Sequence, residues 1–271
     1  EGVVRYDGNK SQFFKDELPG GFAKAFCKRQ NGSLLVLHDL GLTEIISQSD
    51  TTWFKKLWEG RNEKADSLLY YPKTIYEDKR GNIWIGENQS IVRFHDGKFE
   101  KYHFNINPDY GIIFRTFAFA EDNDGNLWII SHGGHLLRFD YESNQFQEKE
   151  LSNSLSKVTD LQFIGKNQLY AGTQFGLYRI TIEEGEEVFQ TSKISNQTNI
   201  SCGIIINQSD YFIGTWDNGL YWADLNKETL NFVKVQDLPN EDIWGVFFDK
   251  KNGLWVTGSE QTSVLSPVLF K

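Results

Sequence analysis

Cysteine, proline and long apolar runs are all scarce in this chain, and each scarcity removes a class of protein. Only Cys27 and Cys202 occur among 271 residues, far apart in sequence. A disulfide scaffold is thereby excluded, two free buried thiols are expected, and the compartment stays open. No stretch approaches 18 consecutive apolar residues, so a membrane-spanning helix and direct membrane insertion by this fragment are not expected. Positive charge is in deficit: 28 Lys and Arg against 37 Asp and Glu leave a net charge of −9 and a pI near 5.1. A nucleic-acid backbone or an anionic membrane needs a basic field, so neither is the main partner and an uncharged ligand fits better. Five prolines, 24 glycines and 15% aromatic residues suit short strands joined by tight turns. The chain opens at Glu1 with neither Met nor a basic-then-apolar leader. It reads as a processed or excised piece whose own targeting signal would not be visible.

What is present is a repeat. The stretch GNIWIG at 81–86 returns as GNLWII at 125–130, NQLYAG at 167–172, SDYFIG at 209–214 and NGLWVTG at 252–258. Its aromatic recurs as Trp84, Trp128, Tyr170, Phe212 and Trp255, at intervals of 42 to 44 residues. A weaker copy, GSLLVL at 32–37, puts Leu35 in that place 49 residues before Trp84, so the first interval carries an insertion. Short strands at this period are the signature of propeller blades.

Each repeat reads as two hairpins, for example 73–78, 83–86, 90–94 and 98–104, the last pair turning at Asp96 and Gly97. The fold class expected is an all-β propeller of four-stranded blades, forming a single domain over 1–271. The blades fall at about 21–70, 71–110, 111–152, 153–196 and 197–239, with a composite of 1–20 and 240–271. Residues 2–8 and 12–15 match a third and fourth strand with no hairpin before them, and 243–258 is a first hairpin. These half-blades would complete one another, close the ring and remove exposed edges. That makes six blades. Residues 263–265 leave an alternative, as a third strand of their own within a seven-bladed ring.

The pattern E-D-x-x-G-N-[IL]-W-I-G, then five to seven residues, then [GS]-[IL]-[VLY]-R-[FY]-[DH], stands here at 77–86 with 90–95 and at 121–130 with 135–140. It resembles the two-component regulator propeller repeat, and degenerate copies cover nearly the whole chain. The resemblance implies the extracytoplasmic, periplasmic sensor region of a hybrid two-component histidine kinase of Bacteroidetes. Such receptors typically pair two propellers with an immunoglobulin-like module, a membrane span and the kinase, and many sense oligosaccharides. Nothing here matches the immunoglobulin-like module or the kinase, so signalling output is not expected of this fragment. The parent receptor is expected to be a homodimer. Ile130 stands where Gly86 does, and the 20 or so residues after Thr51 have no counterpart, which marks both places as specialised.

The repeated aromatic is expected to pack blade on blade, since every repeat has it in the same place. The acidic turns 78–82 and 122–126 do not fit a calcium loop, because the first ligand position counted back from Gly125 is Ala120. Turn chemistry is the better account. The loops between second and third strands differ from repeat to repeat, as recognition requires. They offer Glu87 and Asn88, His132 and His135, Gln174 and Phe175, Trp216, Asp217 and Asn218, and Glu260. Aromatic faces with amides and carboxylates around one mouth suit a neutral polyhydroxylated ligand, such as an oligosaccharide. Trp216 is extra to the repeat, and either stacks on a sugar or caps local packing. His132 and His135 lack a third ligand at metal spacing, and no cofactor is expected.

Trp53 and Trp58, with Tyr110 in the later loop 103–114, lie outside the blade pattern. The segment 52–60 reads as a short helix or lid. Its aromatics either mark a partner surface for a neighbouring propeller or subunit, or fold back as packing. Asp217, Glu87, Glu260 and His132 keep a propeller glycosidase or lyase as the alternative, which would need carboxylates about 5 to 9 Å apart. A purely structural dimerisation propeller is the other.

Overall fold

The computed structural model describes residues 2–6, 9–19, 22–48, 51–59, 69, 72–104, 116–183, 185, 188–227, 229–249 and 253–266. All regular structure among them is β-strand. The chain divides into two compact units, Glu1–Thr116 and Phe117–Lys271.

In the first unit, β1 (Val3–Tyr6) and β2 (Ser11–Phe14) form a two-stranded hairpin. Next come two four-stranded antiparallel sheets. One is β3 (Ala23–Lys28), β4 (Leu34–His38), β5 (Gly41–Gln48) and β6 (Thr51–Glu59); the other is β7 (Thr74–Glu77), β8 (Ile83–Gly86), β9 (Ser90–His95) and β10 (Lys98–His103).

The second unit opens with β11 (Phe117–Glu121), β12 (Leu127–Ser131), β13 (Leu136–Asp140) and β14 (Gln145–Leu151). Then follow β15 (Val158–Ile164), β16 (Gln168–Thr173), β17 (Gly176–Thr181) and β18 (Val188–Ser195). The next sheet is β19 (Ile200–Ile206), β20 (Asp210–Thr215), β21 (Leu220–Asp224) and β22 (Val233–Lys234). The last has three strands, β23 (Ile243–Asp249), β24 (Gly253–Gly258) and β25 (Thr262–Leu265). A short parallel pairing of β14 with β18, Glu150 opposite Val188 and Leu151 opposite Phe189, joins two of these sheets at their outer strands.

One expectation needs correcting. Within the segment 52–60 the described residues, 52–59, are not a helix or lid: they belong to the fourth strand, β6, which pairs along β5 from Thr51 opposite Gln48 to Glu59 opposite Gly41. That edge of β5 offers a full row of backbone groups, and a strand satisfies them where a helix would not. Residues 263–265 form the third strand that the sequence offers as an alternative, since β25 pairs with β24. Pairing of the N-terminal strands with the C-terminal half-blade is not among the strand pairings described.

The repeat exists because one turn is built twice over. Asp78 Oδ1 accepts from the backbone N–H of Arg80 and Asn82, while Oδ2 accepts from Asn82 Nδ2 at 2.6 Å and Trp84 Nε1 at 2.7 Å. Arg93, across on β9, donates through Nε to Asn82 Oδ1 at 3.0 Å and lies 5.5 Å from the Trp84 ring centroid. Asp122, Asn126, Trp128 and Arg138 repeat the arrangement. Gly81 and Gly125 take φ of 81° and 78°, which a side chain would strain. The Asp, Gly, Asn, Trp and Arg of the sequence pattern therefore each have a task, and Asp78 and Asp122 are turn builders.

The recurring aromatics Trp84, Trp128, Tyr170 and Phe212 are buried, whereas Trp255 is half-buried. Trp128 lies 5.9 Å from the Phe189 ring and shares a core with Leu161, Leu169 and Ala171 of the following strands, and Phe212 shares one with Ile243, Leu254 and Val256 of the sheet that follows it. Sheet-on-sheet packing is thus what the 42- to 44-residue period encodes in the second unit. Cys27 and Cys202 are free thiols, and burial pushes Cys27 up to about 11.

Candidate functional site

The loops between second and third strands share one frame and differ at their tips. Thr173 Oγ1 donates to Gly176 O at 2.8 Å and accepts from Phe175 N at 2.9 Å. Thr215 does the same for Gly219 O and Asn218 N, and Ser131 Oγ accepts from His135 N at 3.0 Å. Each of these openers is buried, so the residues after it are turned outwards. Phe175 is 48% exposed; Asp217, Asn218 and His135 are exposed; Trp216, Gln174 and His132 are half-buried.

In the second unit backbone hydrogen bonds chain these tips together through the loops that connect one sheet to the next. Val158 N donates to His132 O, Gln174 N to Lys157 O, Asn199 N to Gln174 O, Trp216 N to Asn199 O and Gly219 N to Glu241 O, over 2.6 to 3.2 Å. Lys157 and Asn199 occupy the left-handed region, with φ of 52° and 53°, to present those carbonyls. The result is a continuous strip carrying His132, Gln174, Phe175, Trp216, Asp217 and Asn218. The last tip holds Glu260, and Asn240 fastens it by accepting from Glu260 N and Gln261 N and donating to Gln261 O.

The side chains along the strip are already oriented. Asp217 Oδ2 accepts from Asn199 Nδ2 at 2.5 Å, and Asn218 Oδ1 accepts from Lys234 Nζ at 3.3 Å. Lys157 Nζ stands 5.6 Å from the Phe175 ring centroid. His135 pairs with Glu148 at 2.7 Å on the open surface, a contact worth little to stability. His132 Nδ1 carries the proton it donates to Val158 O at 3.0 Å.

Burial, aided by the nearby Lys157 charge, holds the His132 pKa below its ordinary 6.5, while the Val158 carbonyl opposes the shift. A histidine depressed in the folded state contributes stability that is present above the unfolded pKa and lost as pH falls below it. Stability measured by urea unfolding should therefore drop between pH 7 and pH 5, and His132→Gln should flatten that slope. A slope unchanged by the substitution would assign the acid sensitivity elsewhere.

The first unit holds the other candidates. Glu87 occupies the opener's place taken elsewhere by Ser131, Thr173 and Thr215. It is buried, accepts from Ser90 Oγ at 2.5 Å and pairs with Lys101 Nζ at 2.6 Å. Asn88 beside it is exposed. Trp53 is 47% exposed on β6. Trp58 is half-buried, 5.1 Å from the Phe99 ring, and packs on a core of Leu35, Leu37, Leu42 and Ile85. Tyr110 lies outside the described residues.

One residue with the right chemistry escaped the sequence reading: Trp244, 52% exposed on β23. Strands β15, β19 and β23 each carry a bulge at their second residue, between Val158 and Asp160, Ile200 and Cys202, and Ile243 and Gly245. Thr159 and Ser201 use it to donate to the next sheet's carbonyls, Ile200 O and Ile243 O, each at 2.5 Å. Trp244 stands where those hydroxyls do. Aligning these strands by their second residue would have exposed the substitution. Among the described residues no group of three or more His, Cys, Asp or Glu could hold a metal ion.

Residues 68–89 match the family model described as two component regulator propeller. No curated protein sequence is significantly similar to the chain. Among solved structures, virginiamycin B lyase from Staphylococcus aureus is similar at a TM-score of 0.68 and 18% identity, covering 93% of this chain and 82% of that one. The extracellular domain of a putative hybrid two component system from B. thetaiotaomicron is similar at 0.56 and 16%, over 90% of this chain. PorZ, an essential bacterial surface component of the type-IX secretion system of Porphyromonas gingivalis, is similar at 0.61 and 16%, over 93% of this chain. The chain spans 43% of the former and 41% of the latter. At these identities the likeness is one of fold: all-β and propeller-like.

Proposed function

We propose that this chain is the extracytoplasmic recognition propeller of a two-component receptor, binding an oligosaccharide whose presence is passed to a kinase elsewhere in the parent protein. The observation that carries this reading is the strip in the second unit. A shared frame of buried Ser131, Thr173 and Thr215 holds tips that differ from sheet to sheet, with Phe175 and Trp216 beside Gln174, Asp217 and Asn218. Aromatic faces suit the apolar side of a sugar ring, and planar amides and carboxylates suit its hydroxyls. The two component regulator propeller match over residues 68–89 supports the receptor context. Rigid sheets supply the platform and the tips the selectivity.

The same reading takes six blades with the chain-terminal strands completing one of them, seven being the alternative, and a periplasmic location. Trp53, the more exposed of the two β6 tryptophans, would face a neighbouring propeller or subunit of a homodimer. Signal transfer then requires only that ligand favour one arrangement of the receptor over another.

The experiment is thermal unfolding of the chain against plant, algal and host oligosaccharides. At 100 times its dissociation constant a ligand specific for the folded state adds about 2.7 kcal/mol, and the melting temperature rises accordingly. The shift should appear with one glycan, disappear in Trp216→Ala and leave the sugar intact. Breakdown of the oligosaccharide would replace the sensor with an enzyme, and no shift with any glycan would leave a structural propeller.

A further inference from the structure

One bond holds the ring of Trp244, and two more hold the carboxylate that accepts it. Its Nε1 donates to Asp242 Oδ2 at 3.1 Å, and Asp242 Oδ1 accepts from Ser259 Oγ at 2.7 Å and Ser259 N at 3.3 Å. Elsewhere in this chain an indole–carboxylate bond satisfies a donor that folding has taken from water, as at Trp84 and Trp128. Trp244 is more than half exposed, so water could serve its N–H and the bond is not needed for satisfaction. What the bond does is hold one orientation of a large aromatic face at the surface. The bulge on β23 aims the side chain outwards, and Ser259 ties it to the tip carrying Glu260.

We propose that Trp244 is the stacking platform of a binding subsite for a neutral pyranose ring, with Asp242 and Ser259 as its positioning residues. This rests on the oligosaccharide reading above and names the sugar class. An aromatic face fixed before the ligand arrives spares the ordering cost of binding. The hydrogen bonds from Ser259 hold the Asp242 carboxyl below the usual carboxylate range, so it is charged at neutral pH. Glu260 is exposed beside it, and Glu241 is open on the preceding loop, only 3.9 Å from Lys234. Carboxylates accept from the hydroxyls of a neutral sugar and repel a uronate or sulfated one. A cation cage needs several rings around its charge, and among the described residues Trp244 is the ring these bonds tie to the tip.

The test is titration calorimetry of the whole chain with laminaritetraose, cellotetraose and xylotetraose, set against tetragalacturonate and a glucosamine tetramer. A neutral tetrasaccharide should bind. Trp244→Ala should weaken it by about tenfold or more, with Trp244→Phe between the two. Asp242→Asn should weaken it by about threefold. Melting temperature in the absence of sugar should stay unchanged in all three variants, which separates ring orientation from a structural role. Unchanged affinity in Trp244→Ala, with the wild type still binding, overturns the platform and leaves the sensor. Binding confined to the acidic or the cationic tetramer overturns the neutral class. Absence of binding to every tetramer removes the sensor reading and the platform with it.

Discussion

Asp78→Ala should destabilise the chain by about 3 to 5 kcal/mol, seen as a fall in the urea midpoint of unfolding. The carboxylate is fully buried and serves four donors at once. Water can replace it at Arg80 N, near the surface, but not at Trp84 Nε1 or Asn82 Nδ2, and each buried donor left unpaired costs about 1 to 3 kcal/mol. Arg93 then loses the fixed Asn82 oxygen to which it donates. Asp210→Ala is the control. Asp210 is also buried, but the donors it takes, Trp222 Nε1 at 2.8 Å and Ser209 Oγ at 2.7 Å, belong to half-buried residues that water can reach, and its loss should cost about 1 kcal/mol. Equal effects of the two substitutions would mean that the turn built by Asp78 does not hold its sheet together.

Arg29→Met should cost about 3 kcal/mol by the same measurement, the lower end of the range for a broken buried pair, because the Arg29 side chain is 22% exposed. Its guanidinium donates to Glu44 Oε1 at 2.9 Å and Glu77 Oε1 at 3.0 Å, joining the turn of one sheet to a strand of the next within the first unit. Methionine keeps most of the stem's packing and leaves two buried carboxylates without their cation. The pH dependence gives the sign. Burial alone would raise the Glu44 pKa, but the Ser33 hydroxyl and Arg29 hold it below 4.5 in the wild type, so its stabilising contribution is lost as pH falls through the folded value. Without Arg29, burial acts with less opposition. The gap between variant and wild type should therefore narrow below about pH 4.5. A gap independent of pH would show that packing, not charge, carries the effect.

These two sites also mark what the sequence makes plain. Glu77, Asp78, Asn82, Trp84 and Arg93 lie within one repeat, so recurrence of their spacing at 121–138 announces both the sheets and the turn. The varying tips were legible for the complementary reason, since they are where the repeat stops repeating. What could not be read depends on backbone slips and distant partners. Trp53 and Trp58 are five residues apart, an odd spacing that sets them on opposite faces of a regular strand. The shift in register between Leu42 and Thr43 breaks that alternation, so β6 lacks the two-residue period of a strand. Glu87 looked like an open ligand carboxylate because Lys101, which neutralises it, sits on the outermost strand of its sheet. Trp244 was hidden by a bulge, which moves one residue out of the two-residue period that sequence reading relies on.

The two-residue seam between β14 and β18 has a further consequence for the order of events in folding. Parallel partners need a long crossover, here about 40 residues of chain, and that loop entropy is lost before any contact repays it. Both hairpin pairs must be in place before Glu150 can meet Val188. The seam, extended by Ser152 N to Phe189 O and Thr191 N to Ser152 Oγ, is therefore expected to form after both hairpin pairs, which amide hydrogen exchange slower in the inner strands than in β14 and β18 would bear out.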